Sequence, residues 1–263
     1  MPIRVIATDI DHTLIDERGQ LPAVNIAALQ QAADRGIHIV LATARRLEPT
    51  QDIANRLQIP TAFVCHNGAR VWDDRGNEVV HHTLNRAITQ RLAEIADEQR
   101  LAFIFTIDEI NFYNVHSSIN TSSSRSIHTA VPALQMVSAQ PATRVVAQGA
   151  ESADVLWNVL AHERDVQCFR YTNRNGVVYS AIAANPIATK ELALATLCKT
   201  WGIARSDVLA IGDADADAGM LRWAGVGVSL KGSMPEALAA AKWVAPSARL
   251  GGVAVAIHRY VLD

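Results

Sequence analysis

Cysteine is scarce in this chain. Cys65, Cys168 and Cys198 are odd in number and far apart, which excludes a disulfide framework and a thiolate metal site. They read as reduced, mostly buried thiols. An excess of one charge is also missing. Lys and Arg number 24 against 26 Asp and Glu, a formal net charge of −2, so nothing here neutralises a nucleic-acid backbone or forms a polybasic membrane patch. No apolar run is long enough to span a bilayer, and the first residues lack a signal-peptide pattern. A soluble, cytoplasmic protein, monomer or homodimer, with no nucleic-acid or membrane partner, is the expectation.

What is present is an alternating rhythm. The run "IRVIAT" is a first buried strand; "LPAVNIAALQQAADRG" is a helix with Pro22 near its start and Gly36 as its stop; "IHIVLATAR" is a second strand. This β-α-β unit implies parallel strands and a right-handed crossover. The segment "TAFVCHNG" adds a third strand, and "ARVWDDRGNEVVHH" reads as a hairpin turning at residues 74–77. After Thr83 the character changes. An amphipathic helix, "NRAITQRLAEIADEQR", leads into the strand "LAFIFTI", then a serine-rich loop, "HSSINTSSSRSIHT", then strand-like runs around a helix at "SADVLWNVLAHE". From Asn185 the α/β rhythm returns with "KELALATLCKTWG", "DVLAIGD", "ADAGMLRWAG" and "VGVSL". The fold class is therefore α/β: a Rossmann-like parallel-sheet core from residues 1–83 and 185–263, with an α+β cap inserted at 84–184.

Ligands of open parallel sheets bind outside the carboxyl ends of the strands. Applied to this chain, the rule gathers Asp9 and Asp11 after the first strand, Thr43 and Arg45 after the second, Asn67 after the third, and Asp213 and Asp217 after "VLAIG". Two carboxylates one residue apart project to the same side of an extended strand and repel. Taken alone, Asp9 and Asp11 could equally be solvated turn residues. Four acids on one rim, however, destabilise a fold unless they are compensated. Lys190 is a second signal. With Thr189 as helix N-cap it lies in the first turn, where the helix dipole disfavours a cation unless an anion is near. Mg²⁺ together with a phosphate group satisfies all of these side chains: Asp9, Asp11 and Asp213 as oxygen donors to the metal, and Thr43, Lys190 and Arg45 on phosphate oxygens. A carboxylate can then attack phosphorus and form an aspartyl-phosphate.

In order and spacing, "TDIDHTLI", "LATAR", the Lys190 helix start and "IGDADADAGML" resemble the four motifs of the haloacid dehalogenase-like phosphohydrolases, and "HNGA" with the place of the insertion resembles the Cof-like branch. The resemblance covers nearly the whole chain and is weakest within the cap. It implies Asp9 as nucleophile and Asp11 as general acid/base. Thr43 and Lys190 would hold phosphoryl oxygens; Arg45 and Asn67, gathered by the strand-end rule, are expected to bind phosphate or substrate as well. Asp213 would complete the metal site, with Asp217 as a ligand or orienting group beside it. The implied activity is Mg²⁺-dependent hydrolysis of a small phosphorylated metabolite, a sugar phosphate by preference, under a cap that selects the substrate. A sugar phosphomutase and a non-catalytic phospholigand-binding protein are the alternatives. His12 stands where the family has Gly after the second Asp, Ala44 where "TGR" has Gly, and Ala216 where "GDxxND" has Asn; "SLKGSMPEA" lacks the family's late-loop Asn.

Overall fold

The structure is a computed structural model that describes residues 2–119, 128–173 and 175–263. The chain divides into two compact units, Met1–Val80 with Ala188–Asp263, and His81–Ile187.

The first unit begins with β1 (Val5–Thr8), α1 (Ala23–Asp34), β2 (His38–Ala42), α2 (Leu47–Leu57), β3 (Thr61–Cys65), β4 (Arg70–Trp72) and β5 (Glu78–His81), whose last residue already belongs to the second unit. The second unit continues with α3 (Arg86–Glu98), β6 (Phe103–Ile107), β7 (Ile110–Asn114), β8 (His128–Val131), β9 (Arg144–Gln148), α4 (Ala150–Leu160), β10 (Gln167–Thr172) and β11 (Val178–Ala184). The chain then completes the first unit with α5 (Lys190–Trp201), β12 (Val208–Ile211), α6 (Ala218–Trp223), β13 (Val226–Leu230), α7 (Pro235–Ala240), β14 (Trp243–Ala245) and α8 (Gly252–Ile257).

The eight-stranded sheet runs β14-β13-β12-β1-β2-β3-β4-β5, parallel from β14 through β3 and turning antiparallel at β4. Every residue of β1 and β12 is buried, as strands covered on both faces must be. Ile6, Ile39, Leu41 and Leu209 face α1, α2 and α8; Val5, Ala7, Val40 and Ala210 face α5, α6 and α7. The chain passes from β1 to β2 on one side, while β12 pairs with the other edge of β1. The strand order therefore reverses between β1 and β12, and a crevice opens there at the carboxyl ends.

The six-stranded sheet runs β10-β11-β9-β6-β7-β8 and is antiparallel except for the β7–β8 pair. Phe103, Phe105, Val145 and Ala181 pack on Leu92 and Ala96 of α3 and on Leu156 and Leu160 of α4. The helix α2 buries Thr50, Ile53, Ala54 and Leu57 on one face at helical spacing, and Pro49 falls in its first turn, where the missing N–H costs no hydrogen bond. Of the serine-rich loop read in the sequence, residues 120–127 lie outside the described residues.

Candidate active site

The strand β1 ends at Thr8, so Asp9 and Asp11 lie beyond it. This corrects the picture of two carboxylates converging on one strand face. The Asp9 amide still donates to Ile211 O of β12 at 2.9 Å, which keeps Asp9 at the β1/β12 crevice. Asp11 is already in a turn, paired in an isolated bridge with Ile15, and His12 follows with φ 60°. Left-handed backbone is tolerated by His better than by most residues, and the reversal sends the two acids to different partners.

Asp9 is 7 % exposed and its Oδ1 accepts from Lys190 Nζ at 2.8 Å. Lys190, 3 % exposed, also donates to Asp217 Oδ1 at 2.6 Å. Thr189 caps the helix α5, its hydroxyl accepting from Leu192 N. Two carboxyl groups thus flank a cation placed at the end of a helix that disfavours it. Asp217 is fully buried, and its other oxygen accepts from the backbone N–H groups of Asp213 and Ala214 at 3.0 and 2.9 Å. Gly212 permits this grip, because a Cβ there would lie 2.6 Å from the Asp217 side chain. Asp213 Oδ1 in turn accepts from the Thr13 hydroxyl at 2.7 Å.

Asp9, Asp213 and Asp217 each offer a carboxylate oxygen within 4.8 Å of the others. Burial pushes the Asp9 carboxyl up to about 8, with Asp217 and Asp213 adding to the rise and Lys190 opposing it. Burial likewise raises Asp213, against the Thr13 hydrogen bond. One ammonium does not balance three carboxylates. A hard divalent cation fits this set of oxygen donors, whose acidic groups outnumber the one ammonium among them.

Asp11 is held elsewhere. Its two oxygens accept from Arg45 Nε at 2.8 Å and Arg45 Nη2 at 2.5 Å, a two-point fork, and that hydrogen bonding raises the Arg45 guanidinium above its ordinary value. Arg45 also lies within electrostatic reach of Asp9. Thr43 Oγ1 accepts from the Arg45 amide at 3.1 Å. The structure therefore brings Asp9, Lys190, Asp213 and Asp217 into one network and Asp11, Arg45 and Thr43 into an adjoining one. The Asp11 carboxylate is not in the group of three.

Asn67 joins the rim through its backbone. The Asn67 amide donates to Thr43 O and the His66 amide to Arg45 O, both at 2.9 Å. His66, Asn67 and Gly68 have φ of 50°, 56° and 108°, three successive left-handed residues. That conformation costs roughly 1–2 kcal/mol at each non-glycine position. Only glycine fits at 68, where a Cβ would lie 2.3 Å from Thr189 O. This close approach seats the turn against the residue that caps the Lys190 helix. The Asn67 side-chain oxygen is buried without a hydrogen-bond partner, as a group meant for a ligand would be.

Thr13, Gly68 and Gly212 carried no expectation from the sequence. For Thr13 the available signal was a hydroxyl two residues from an acid in the same loop; a glycine's close approach leaves no local signal.

The sequence model of the haloacid dehalogenase-like hydrolases matches residues 6–257. A 5-amino-6-(5-phospho-D-ribitylamino)uracil phosphatase of Bacillus subtilis is 23% identical over 263 residues, covering 99% of this chain and 96% of the relative. A pyridoxal phosphate phosphatase of Escherichia coli is 23% identical over 248 residues, covering 88% of each chain. Among solved structures, a haloacid dehalogenase-like hydrolase from Bacteroides thetaiotaomicron superposes with a TM-score of 0.85 at 20% identity, covering 98% of this chain and 99% of that one. No helix among the described residues is long and apolar enough to cross a membrane. The chain belongs to the haloacid dehalogenase-like hydrolases and is a phosphatase of that family.

Proposed function

We propose that the protein is a Mg²⁺-dependent phosphomonoesterase acting on a small phosphorylated metabolite, a sugar or polyol phosphate by preference, through an aspartyl-phosphate on Asp9. The observation that carries this reading is the trio of Asp9, Asp213 and Asp217 carboxylates within 4.8 Å, two of them buried and opposed by Lys190. A pure binder of anions has no use for such a cluster, because it repels its own ligand.

Lys190 holds Asp9 Oδ1, which fixes the carboxylate and leaves Oδ2 as the attacking oxygen. As the Asp9 oxygen bonds to phosphorus, the ester oxygen departs and takes a proton from Asp11. Water then attacks the phosphorus, Asp11 accepts its proton, and the bond from Asp9 to phosphorus breaks. Asp9 and Asp213 would hold Mg²⁺, which would supply the positive charge that lets an anionic ester approach the nucleophile. Asp217, with both oxygens engaged, orients Lys190 and the 213–214 backbone. Thr43, Lys190 and Asn67 are the phosphate and substrate donors. We assign substrate selection to the inserted unit. The names of the relatives, one for a phosphoribityl compound and one for pyridoxal phosphate, support a small phosphorylated substrate.

Release of p-nitrophenolate from p-nitrophenyl phosphate tests the reading. Turnover requires Mg²⁺, stops with EDTA, and falls by roughly 10⁴-fold or more in Asp9→Asn, the scale for removing a nucleophile. Turnover by that variant near the wild-type rate removes the covalent route.

A further inference from the structure

In the Arg45–Asp11 fork an arginine occupies both oxygens of a carboxylate at this rim. Arginine offers only donors, in a rigid planar arrangement. Two donors facing two oxygens fix the plane and the direction of the Asp11 carboxyl group. The pair also sits half-open to solvent, with Asp11 about half exposed and Arg45 less so, where a water molecule can reach it. Arg45 is in addition fixed from behind, its amide bonded to Thr43 Oγ1 and its carbonyl accepting from the His66 amide.

We infer that Arg45 is a positioning residue for the second half of the reaction, holding Asp11 as the base that takes a proton from the attacking water, and that it is not a phosphate-binding group. The inference rests on the reading of Asp9 and Asp11 above and adds a division of labour. In that step the water oxygen bonds to phosphorus, its proton passes to Asp11, the bond between phosphorus and the Asp9 oxygen breaks, and inorganic phosphate and the Asp9 carboxylate are the products. Arg45 makes and breaks no covalent bond. Its effect is on the rate of dephosphorylation, whereas a phosphate-binding arginine acts on substrate binding and on phosphorylation.

Rapid-quench and stopped-flow kinetics with p-nitrophenyl phosphate and Mg²⁺ separate the two half-reactions. For Arg45→Gln the prediction is a burst of p-nitrophenolate close to one per active site at nearly the wild-type rate, followed by steady-state turnover slowed about 10- to 100-fold, within the range of a displaced general base. KM falls with kcat, because phosphoenzyme accumulates. Arg45→Lys, which keeps the charge but not the fork, retains the burst with an intermediate steady-state rate. Thermal unfolding of both variants reports whether the fold is kept, and the burst amplitude counts competent sites even if part of the protein is lost. A loss of the burst with a raised KM overturns the inference in favour of phosphate binding, and an unchanged steady-state rate overturns it outright. Failure of the underlying reading is separate: it appears as wild-type turnover with no phosphoenzyme, or as Asp11→Asn with unimpaired dephosphorylation.

Discussion

The two units differ in the charge of the polar groups they bury. Among the described residues of His81–Ile187, every buried polar side chain is uncharged: Thr89, Thr106, Asn111, Asn114, Ser138, Thr143 and Ser152. They bond to groups of the same unit. Thr106 Oγ1 donates to Asn111 Oδ1 at 2.8 Å, Ser152 Oγ accepts from Ala102 N at 3.0 Å, and Thr89 Oγ1 accepts from Ala142 N at 3.1 Å. Neutral, paired groups of this kind add modestly to stability. At the carboxyl edge of the eight-stranded sheet, by contrast, the titratable side chains of Asp9, Asp217 and Lys190 are buried together, with Asp213 beside them. A cluster of like charges costs stability and is retained for what it does. The contrast teaches that a local excess of one sign, rather than burial of polarity as such, marks the site.

The sharpest way to break the comparison is to remove the single cation. Lys190→Met leaves Asp9 and Asp217 buried without their partner, and a loss of about 3–5 kcal/mol is expected for breaking a buried pair, read from urea denaturation together with loss of turnover. A small loss would mean that the network is solvated and unlike a buried site.

The second test concerns pH and metal. Asp9, raised from its ordinary value to about 8, and Asp213, raised as well, bind protons more tightly folded than unfolded. The stability that these two carboxyls contribute to the metal-free protein therefore falls as pH rises from about 4 to about 8. The rise of Lys190 acts only in the alkaline range and does not touch this window. In EDTA the melting temperature declines across that interval, and Mg²⁺ raises it more at pH 8 than at pH 5. A rise with pH in EDTA would contradict the charge assignment.

The smallest effect belongs to the other unit. Ser152→Ala removes the acceptor for a buried backbone N–H and is expected to cost about 1–2 kcal/mol in a denaturation curve, with kcat for p-nitrophenyl phosphate unchanged. A comparable loss of activity would erase the distinction between the two kinds of buried polarity.

Much of the architecture is legible from hydrophobic period and punctuation. The helix α1 begins after Pro22, and Gly36 follows it with φ 78°, as the residue pattern indicates. The runs from Val5, His38, Thr61 and Val208 become the parallel strands β1, β2, β3 and β12. The strand-end rule likewise assembles the acids without any long-range information. What stays hidden depends on contacts that no local pattern encodes. Asp9 and Asp11 separate because β1 stops one residue before the first of them and His12 reverses the chain. Asp217 is drawn inward by the 213–214 amides and by the missing Cβ of Gly212. The left-handed turn at residues 66–68 depends on how closely Thr189 approaches Gly68.

The most direct measurement is to quench the protein in acid during turnover of p-nitrophenyl phosphate with Mg²⁺, reduce it with borohydride, and map the peptides by mass. An acyl phosphate at Asp9 is reduced there to homoserine, and the modified peptide disappears when EDTA replaces Mg²⁺. Turnover that continues with residue 9 unmodified, or with the modification on a different carboxylate, would contradict the assignment of the phosphoryl group to Asp9.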